Sequence, residues 1–241
     1  MKIPKILLSI VILMLIISCS ANRSYENQLG KYKSFRELKQ FETGGQDYRI
    51  EMQFLDSPFT IMAPHGGGIE AGTSELAKAI AADYFNYYIF AGIKPDNNLD
   101  LHIISSRYDE TFARKIINQS DIIVTIHGCK GDESFAIVGG LLTELAEKLE
   151  ISLQNEGFSV KDIETEELDG DDKDNICNRG KFEQGVQIEI SNGLRKEMFE
   201  NLTRQGRLQK TQKFVKFNEV IQKTILEYLK NDNKLGVNYE R

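Results

Sequence analysis

Two histidines and a glutamate occupy positions where they could share one metal ion. His65 directly follows the apolar run 59–64, and His127 directly follows the β-branched run 122–126. Ligands bind beyond the carboxyl ends of strands in open α/β sheets, so both imidazoles are expected in one cleft. Glu70 comes shortly after His65, across a glycine run that can fold back on itself. Two imidazoles and one carboxylate form the ligand set of a catalytic zinc site with an open position for water.

Each of these histidines, taken alone, is more typical of a hydrogen-bonded structural residue in a turn. The two strand-end positions together with Glu70 favour a metal site more strongly, and the residue pattern leaves both interpretations open. The third histidine, His102, lies inside the apolar segment 101–105, which predicts a strand. We expect His102 to be a core or sheet-face histidine.

A late strand carries an acidic residue between apolar neighbours. Segment 185–191 alternates, so Val186, Ile188 and Ile190 face one side while Gln187, Glu189 and Ser191 face the other. A partly buried carboxylate needs a reason to be there, and a catalytic cleft supplies one. Glu189 could take a proton from an attacking water and pass it to a leaving nitrogen. The alternative is a solvated face on an edge strand.

Arg179 and Arg195 flank this strand and are candidates for binding a substrate carboxylate, because an arginine fork binds carboxylates through two hydrogen bonds. Arg179 is the better candidate, since Asn178 and Gly180 beside it predict a tight, exposed turn. The acidic segment 162–174 lacks the twelve-residue pattern of a calcium loop, so we interpret it as a solvated loop. Whether Cys129 and Cys177 form a disulfide stays open.

The elements that position these residues alternate between strand-like and helix-like patterns. The predicted strands and helices are as follows: strands at 59–63, 101–105, 121–126, 135–138 and 186–190, and helices at 73–91, 109–118, 141–154 and 209–230. This alternation predicts an α/β layer fold in which helices flank an open, mixed, mostly parallel sheet.

The N-terminus has the pattern of a bacterial lipoprotein signal. Lys2 and Lys5 precede the apolar run 6–17, which is shorter than the roughly 20 residues of a spanning helix. Small residues then precede Cys19, as in a lipobox. We predict a signal peptide over 1–18, lipidation of Cys19, a tether over 19–34, and an exported protein anchored to a bacterial membrane by its lipid alone. An ordinary cleaved signal with an incidental cysteine is the alternative.

Composition excludes several classes of protein. The 241 residues are 41% hydrophobic and 27% charged, with a net charge of -6. These values exclude a disordered, collagenous or disulfide-scaffold chain, and the negative charge argues against a nucleic-acid partner. We predict a monomer with one catalytic domain over 35–230 and a polar tail over 231–241.

Five segments in this order resemble the poly-gamma-glutamate hydrolase family. They are 64–70 (PHGGGIE), 72–75 (GTSE), 126–128 (IHG), 175–179 (NICNR) and 185–189 (GVQIE), and the resemblance also includes 32–35 and 48–50. The resemblance implies a fold like that of the zinc carboxypeptidases and a hydrolase of γ-glutamyl amide bonds.

The same resemblance implies roles for individual residues. It implies Zn²⁺ held by His65, Glu70 and His127, with Glu189 as general acid and base. It also implies contacts of Arg179, Arg195 and Asn178 with an anionic peptide or polyglutamate substrate.

Two alternatives are an exported cell-wall amidase or peptidase that acts on peptidoglycan, and a surface-anchored binding lipoprotein without turnover. A serine esterase, which the His-Gly-Gly-Gly run at 65–68 would suit, is disfavoured because the chain has no Gly-x-Ser-x-Gly motif.

Overall fold

The computed structural model describes residues 30–162 and 166–231. The predicted signal peptide, Cys19, most of the predicted tether and the polar tail from 232 onward lie outside the described residues. None of the helices within these ranges combines the length and the apolar composition that a membrane span requires.

The strands of the described residues form one six-stranded sheet in the order β1-β3-β2-β4-β6-β5. The strands are β1 Tyr48–Gln53, β2 Phe59–Gly67, β3 Asn86–Gly92, β4 Ile122–Cys129, β5 Ala136–Gly139 and β6 Val186–Ser191. The central strands β3, β2, β4 and β6 pair in parallel, while β1 and β5 pair antiparallel at the edges. This arrangement confirms the predicted open, mixed and mostly parallel sheet.

Helices pack against both faces of this sheet, with the main core on one of them. The α-helices of the described residues are α1 Phe35–Leu38, α2 Thr73–Ala81, α3 Thr111–Gln119, α4 Thr143–Asn155, α5 Glu166–Asp169, α6 Asn192–Met198 and α7 Gln212–Asn231. The main core contains buried side chains of α2, α4 and α7, such as Leu76, Leu149 and Phe217, packed with Val124 and Ile188 of the sheet. Burial of these apolar faces is the chief force that holds the layers together.

The opposite face of the sheet carries a second, smaller core and the polar side chains of interest. Met62, Tyr88 and Ile123 belong to this smaller core, together with residues of α1 and α3. Partners in a parallel register point to the same face, and β4 pairs with β6 so that His127 lies beside Glu189. The polar ends of these strands therefore share this second face.

The predicted helix over 73–91 is wrong in its second half. Helix α2 ends at Ala81, and Asn86–Gly92 forms the central strand β3. The chain reverses at Ala82, whose φ of 40° does not continue a helix. Aromatic and β-branched residues favour a buried strand here, although their spacing also matches a helical face.

Two further expectations differ from the structure. Segment 101–105 is not a strand. It connects two short 3-10 helices, Asn98–Leu101 and Ser105–Arg107. Its carbonyl groups are thus free to bond side chains instead of a neighbouring strand. The edge strand β1 has no counterpart among the predicted elements.

Candidate metal centre

Three adjacent parallel strands deliver the candidate side chains to one edge of the sheet. His65 lies near the carboxyl end of β2, His127 near that of β4, and Glu189 near that of β6. All three residues are buried. Their positions follow from the strand order, since β4 lies between β2 and β6.

A tight turn after β2 brings Glu70 back to the same point. The Glu70 amide donates to the His65 carbonyl at 2.9 Å, which closes the turn. Gly67 has a φ of +68°, and a Cβ there would lie 2.3 Å from the carbonyl oxygen of Gly92. Only glycine fits such a position. The Gly128 amide then donates to Glu70 Oε2 at 2.8 Å, which fixes the carboxylate against β4.

Three electron-pair donors converge at this point. His65 Nδ1 lies 3.1 Å from His127 Nδ1 and 2.9 Å from Glu70 Oε1. The other ring nitrogen of His65, Nε2, donates to the carbonyl of Ile103 at 2.7 Å. In a neutral ring the proton therefore sits on Nε2 and the lone pair of Nδ1 faces the cluster.

The donor set fits a divalent cation. Lone pairs of two imidazoles and a carboxylate repel one another at these separations unless a positive charge lies between them. The ligand atoms of His65, Glu70 and His127 all fall within 4.8 Å of one another. Nitrogen and carboxylate donors of this kind are typical ligands of zinc.

His102 also belongs to this cluster, which sequence reasoning missed. Its ring lies on that of His65 with centroids 3.8 Å apart, and its Nε2 is 3.6 Å from Glu70 Oε1. Burial and the neighbouring His65 lower the pKa of His102. The expectation of a core or sheet-face histidine is wrong, because His102 is only partly buried and lies in the loop between β3 and α3, outside the sheet. No local pattern signals this packing.

The two carboxylates of the site, the buried Glu189 and the partly buried Glu70, differ in pKa. Burial, followed by the charge of Glu70, raises the pKa of Glu189 well above its usual value, with Arg195 opposing the shift. Burial would also raise the pKa of Glu70, but the three histidines around it outweigh burial and hold that pKa well below its usual value. A bound divalent cation would counter the repulsion between the two carboxylates and lower the pKa of Glu189.

Arg195 links the three segments that carry the site. Its guanidinium donates to the carbonyls of Ile190, Ala71 and Cys129 at 3.0, 2.8 and 3.1 Å. It packs against Gly128, where a Cβ would lie 2.6 Å from the guanidinium carbon. Arg195 also lines the cleft into which the site opens.

Asn178 and Arg179 are not among the residues that line this cleft. Asn178 accepts from the amides of Leu141 and Gly185 and donates to the carbonyls of Gly170 and Asp172. Its hydrogen-bonding capacity is thus used by the backbone. Arg179 is half-buried and donates to the Tyr108 carbonyl at 2.9 Å. The substrate contacts that the resemblance implies for these two residues remain predictions.

The site opens into a cleft of about 1370 Å³. Its lining contains charges of both signs. Lys31 and Lys130 are positive, and Asp100, Asp132 and Asp172 are negative. The acidic segment thus reaches the cleft through Asp172, while Asp171–Asp174 are exposed. Cys129 also lines the cleft; Cys129 and Cys177 are free thiols, and burial raises the pKa of each to about 12.

Comparisons with known proteins identify a family and relatives that this chain resembles. The profile of the family described as Poly-gamma-glutamate hydrolase matches residues 32–220. The UPF0714 protein YndL of Bacillus subtilis strain 168 is 33% identical over 232 residues, which cover 95% of this chain and 87% of YndL. The SPbeta prophage-derived UPF0714 protein YoqZ of the same bacterium is 38% identical over 178 residues, and the match spans 73% of this chain and 64% of YoqZ.

Two solved structures share the fold. A bacteriophage poly-gamma-glutamate hydrolase superposes with a TM-score of 0.81 at 32% identity, covering 84% of this chain and all (100%) of that one. A zinc-free apo structure of YndL superposes with a TM-score of 0.77 at 33% identity, covering 84% of this chain and 98% of that one.

Proposed function

The chain belongs to the poly-gamma-glutamate hydrolase family, and from this premise we propose a zinc-dependent hydrolase that cleaves γ-glutamyl amide bonds of poly-gamma-glutamate. The observation that carries the proposal is the convergence of His65, His127 and Glu70 on one point beside Glu189. A structural histidine pair would not require the second carboxylate, that of Glu189, to be buried at the same place.

His65, Glu70 and His127 would hold the zinc ion. When bound, zinc polarises the scissile carbonyl and makes a water nucleophilic near neutral pH. Glu189 accepts a proton from the water as its oxygen bonds to the carbonyl carbon. Glu189 then returns that proton to the nitrogen as the C–N bond breaks, which yields a carboxylic acid and an amine. The proton of the acid passes to the amine near neutral pH, so the final products are a carboxylate and an ammonium group.

The cleft offers cationic groups for the carboxylates of the substrate. Each γ-linked glutamate carries one free α-carboxylate, and Lys31, Lys130 and Arg195 line the cleft. Lys130 is exposed and makes no ion pair within the described part of the chain. Asp132 and Asp172 line the same cleft, so their negative charges oppose the attraction of these cationic groups for the substrate.

A panel of polymers tests the substrate. The zinc-loaded protein is incubated with poly-γ-glutamate, α-linked polyglutamate and peptidoglycan, and new amino groups are counted while chain length is followed by size-exclusion chromatography. We expect cleavage of the γ-linked polymer alone, because the α-linked chain presents its amide at a different distance from its carboxylates. Release from peptidoglycan alone would support the cell-wall enzyme instead. No release from any polymer would support a binding protein.

We also propose that the protein is exported and lipid-anchored through Cys19. The support is the sequence of the first 19 residues, since two or more acyl chains give stable attachment to a membrane. Bacteria that express the chain are grown with a labelled fatty acid, and the label on the protein is measured. We expect label on the unaltered chain and none on Cys19→Ala. Equal labelling of both chains would contradict the anchor.

A further inference from the structure

Gln187 lies between Asn175 and Glu189 in the interior of the site. Asn175 Nδ2 donates to Gln187 Oε1 at 2.9 Å, and Gln187 Nε2 donates to Glu189 Oε1 at 3.2 Å. Gln187 and Glu189 lie on the same face of β6 because they are two residues apart in one strand. All three residues are buried.

Backbone groups fix the direction of this chain of hydrogen bonds. At one end the Cys177 amide donates to Asn175 Oδ1, so the NH₂ of Asn175 must face Gln187. At the other end Gln187 Nε2 also approaches the Leu168 carbonyl at 3.5 Å, which can only accept. The amide of Gln187 therefore has one favourable orientation, with its donor toward Glu189.

The acidic segment holds Gln187 in place through its backbone. Gly170 has a φ of +66°, and a Cβ there would lie 2.7 Å from Gln187 Cβ. The Gly140 amide donates to the Asp169 carbonyl, and Asn178 donates to the carbonyls of Gly170 and Asp172. These bonds hold the segment beside Gln187 of β6. The segment therefore helps to position Gln187, a role that does not depend on its negative charge.

We propose that Gln187 is a positioning residue for Glu189, and that Asn175 sets the orientation in which Gln187 acts. The donated hydrogen bond holds Glu189 Oε1 and leaves Oε2 to exchange the proton with the water and the leaving nitrogen. The inference rests on the proposed function, since it assigns Gln187 a role that acts through Glu189.

The first test is Gln187→Met, which preserves length but removes the donor. We expect kcat to fall about 10- to 100-fold while KM and the zinc content of the protein stay within twofold, as for other residues that orient a catalytic group. Gln222→Met is the matched control, because Gln222 donates to the Ile80 carbonyl on α2, away from the cleft. We expect unchanged kcat for this control. An unchanged kcat for Gln187→Met would overturn the proposal.

Asn175→Asp tests the orientation and serves if Gln187→Met does not fold. The new carboxylate still accepts from the Cys177 amide but faces Gln187 with an acceptor, so the Gln187 amide should rotate and turn its oxygen toward Glu189. We expect a loss of kcat similar to that of Gln187→Met, with zinc retained. A variant that folds, binds zinc and keeps its kcat would contradict the assigned orientation.

A double-mutant cycle separates positioning from a purely structural role. If Gln187 acts through Glu189, Gln187→Met should change the residual kcat of Glu189→Gln by less than twofold. An equal fold-loss in both backgrounds would show that Gln187 acts independently of Glu189 and would refute the inference. Full turnover by Glu189→Gln alone would instead refute the proposed role of Glu189 itself.

Discussion

Replacing Glu189 by glutamine should lower kcat by roughly 10²- to 10⁴-fold, which is the usual contribution of a general acid and base. The amide has nearly the same shape but cannot accept a proton from water or return one to the leaving nitrogen. Because Glu189 is not among the three residues with converging donor atoms, zinc content and KM should change little.

The measurement is steady-state turnover of poly-γ-glutamate with zinc quantified on the same samples. Glu51→Gln is a matched control, because Glu51 lies on the edge strand β1 and pairs with Lys78 and Arg49. We expect the control to keep its full kcat. If Glu189→Gln turned over within twofold of the unaltered protein, Glu189 would have no part in proton transfer.

Removal of the metal should have an effect of similar size. We expect a chelator to abolish turnover and added Zn²⁺ to restore it, and we expect His65→Ala to bind less than one tenth of the zinc of the unaltered chain. The physical reason is that two ligands, His127 and Glu70, would remain where three converge. Zinc should also raise the melting temperature of the unaltered protein, since a ligand that binds only the folded state stabilises it.

Elemental analysis and thermal melting with and without Zn²⁺ measure these effects. Cys177→Ala is the control, because a thiol is the other common zinc ligand and Cys177 is buried with its pKa raised to about 12. We expect this control to retain its zinc. A His65→Ala variant with undiminished zinc, or turnover that survives complete chelation, would refute the metal centre.

The parts of the fold that sequence predicts well are those whose pattern has one interpretation. Strand β6 alternates strictly, so the shared face of Gln187 and Glu189 follows from its period. Strand β4 is a β-branched run between turn signals, which places His127 at its end. Strand β3 is different, because it is buried on both faces and its aromatic residues also match helical spacing.

The contacts that sequence could not predict are those between distant segments. His102 reaches Glu70 because the loop between β3 and α3 crosses the strand ends, and nothing in its local pattern encodes that path. Asn178 has the type and neighbours of an exposed turn residue. Its burial depends on the acidic segment folding back over β6, which brings carbonyl partners from residues 170 and 172.

The three carbonyls bound by Arg195 belong to the turn after β2, to β4 and to β6. The Arg195 guanidinium therefore fixes the spacing between the proposed metal ligands and Glu189 within the folded chain itself. These three segments therefore need little rearrangement when a ligand binds. Preorganisation of this kind lowers the free energy needed to reach a transition state. Lysine is a poor replacement, since its three donors share one nitrogen, whereas these three hydrogen bonds come from three different nitrogens of Arg195. We therefore expect substitutions in the loops that line the cleft, such as those at Lys31 and Asp132, to change substrate binding without displacing the proposed metal ligands or Glu189.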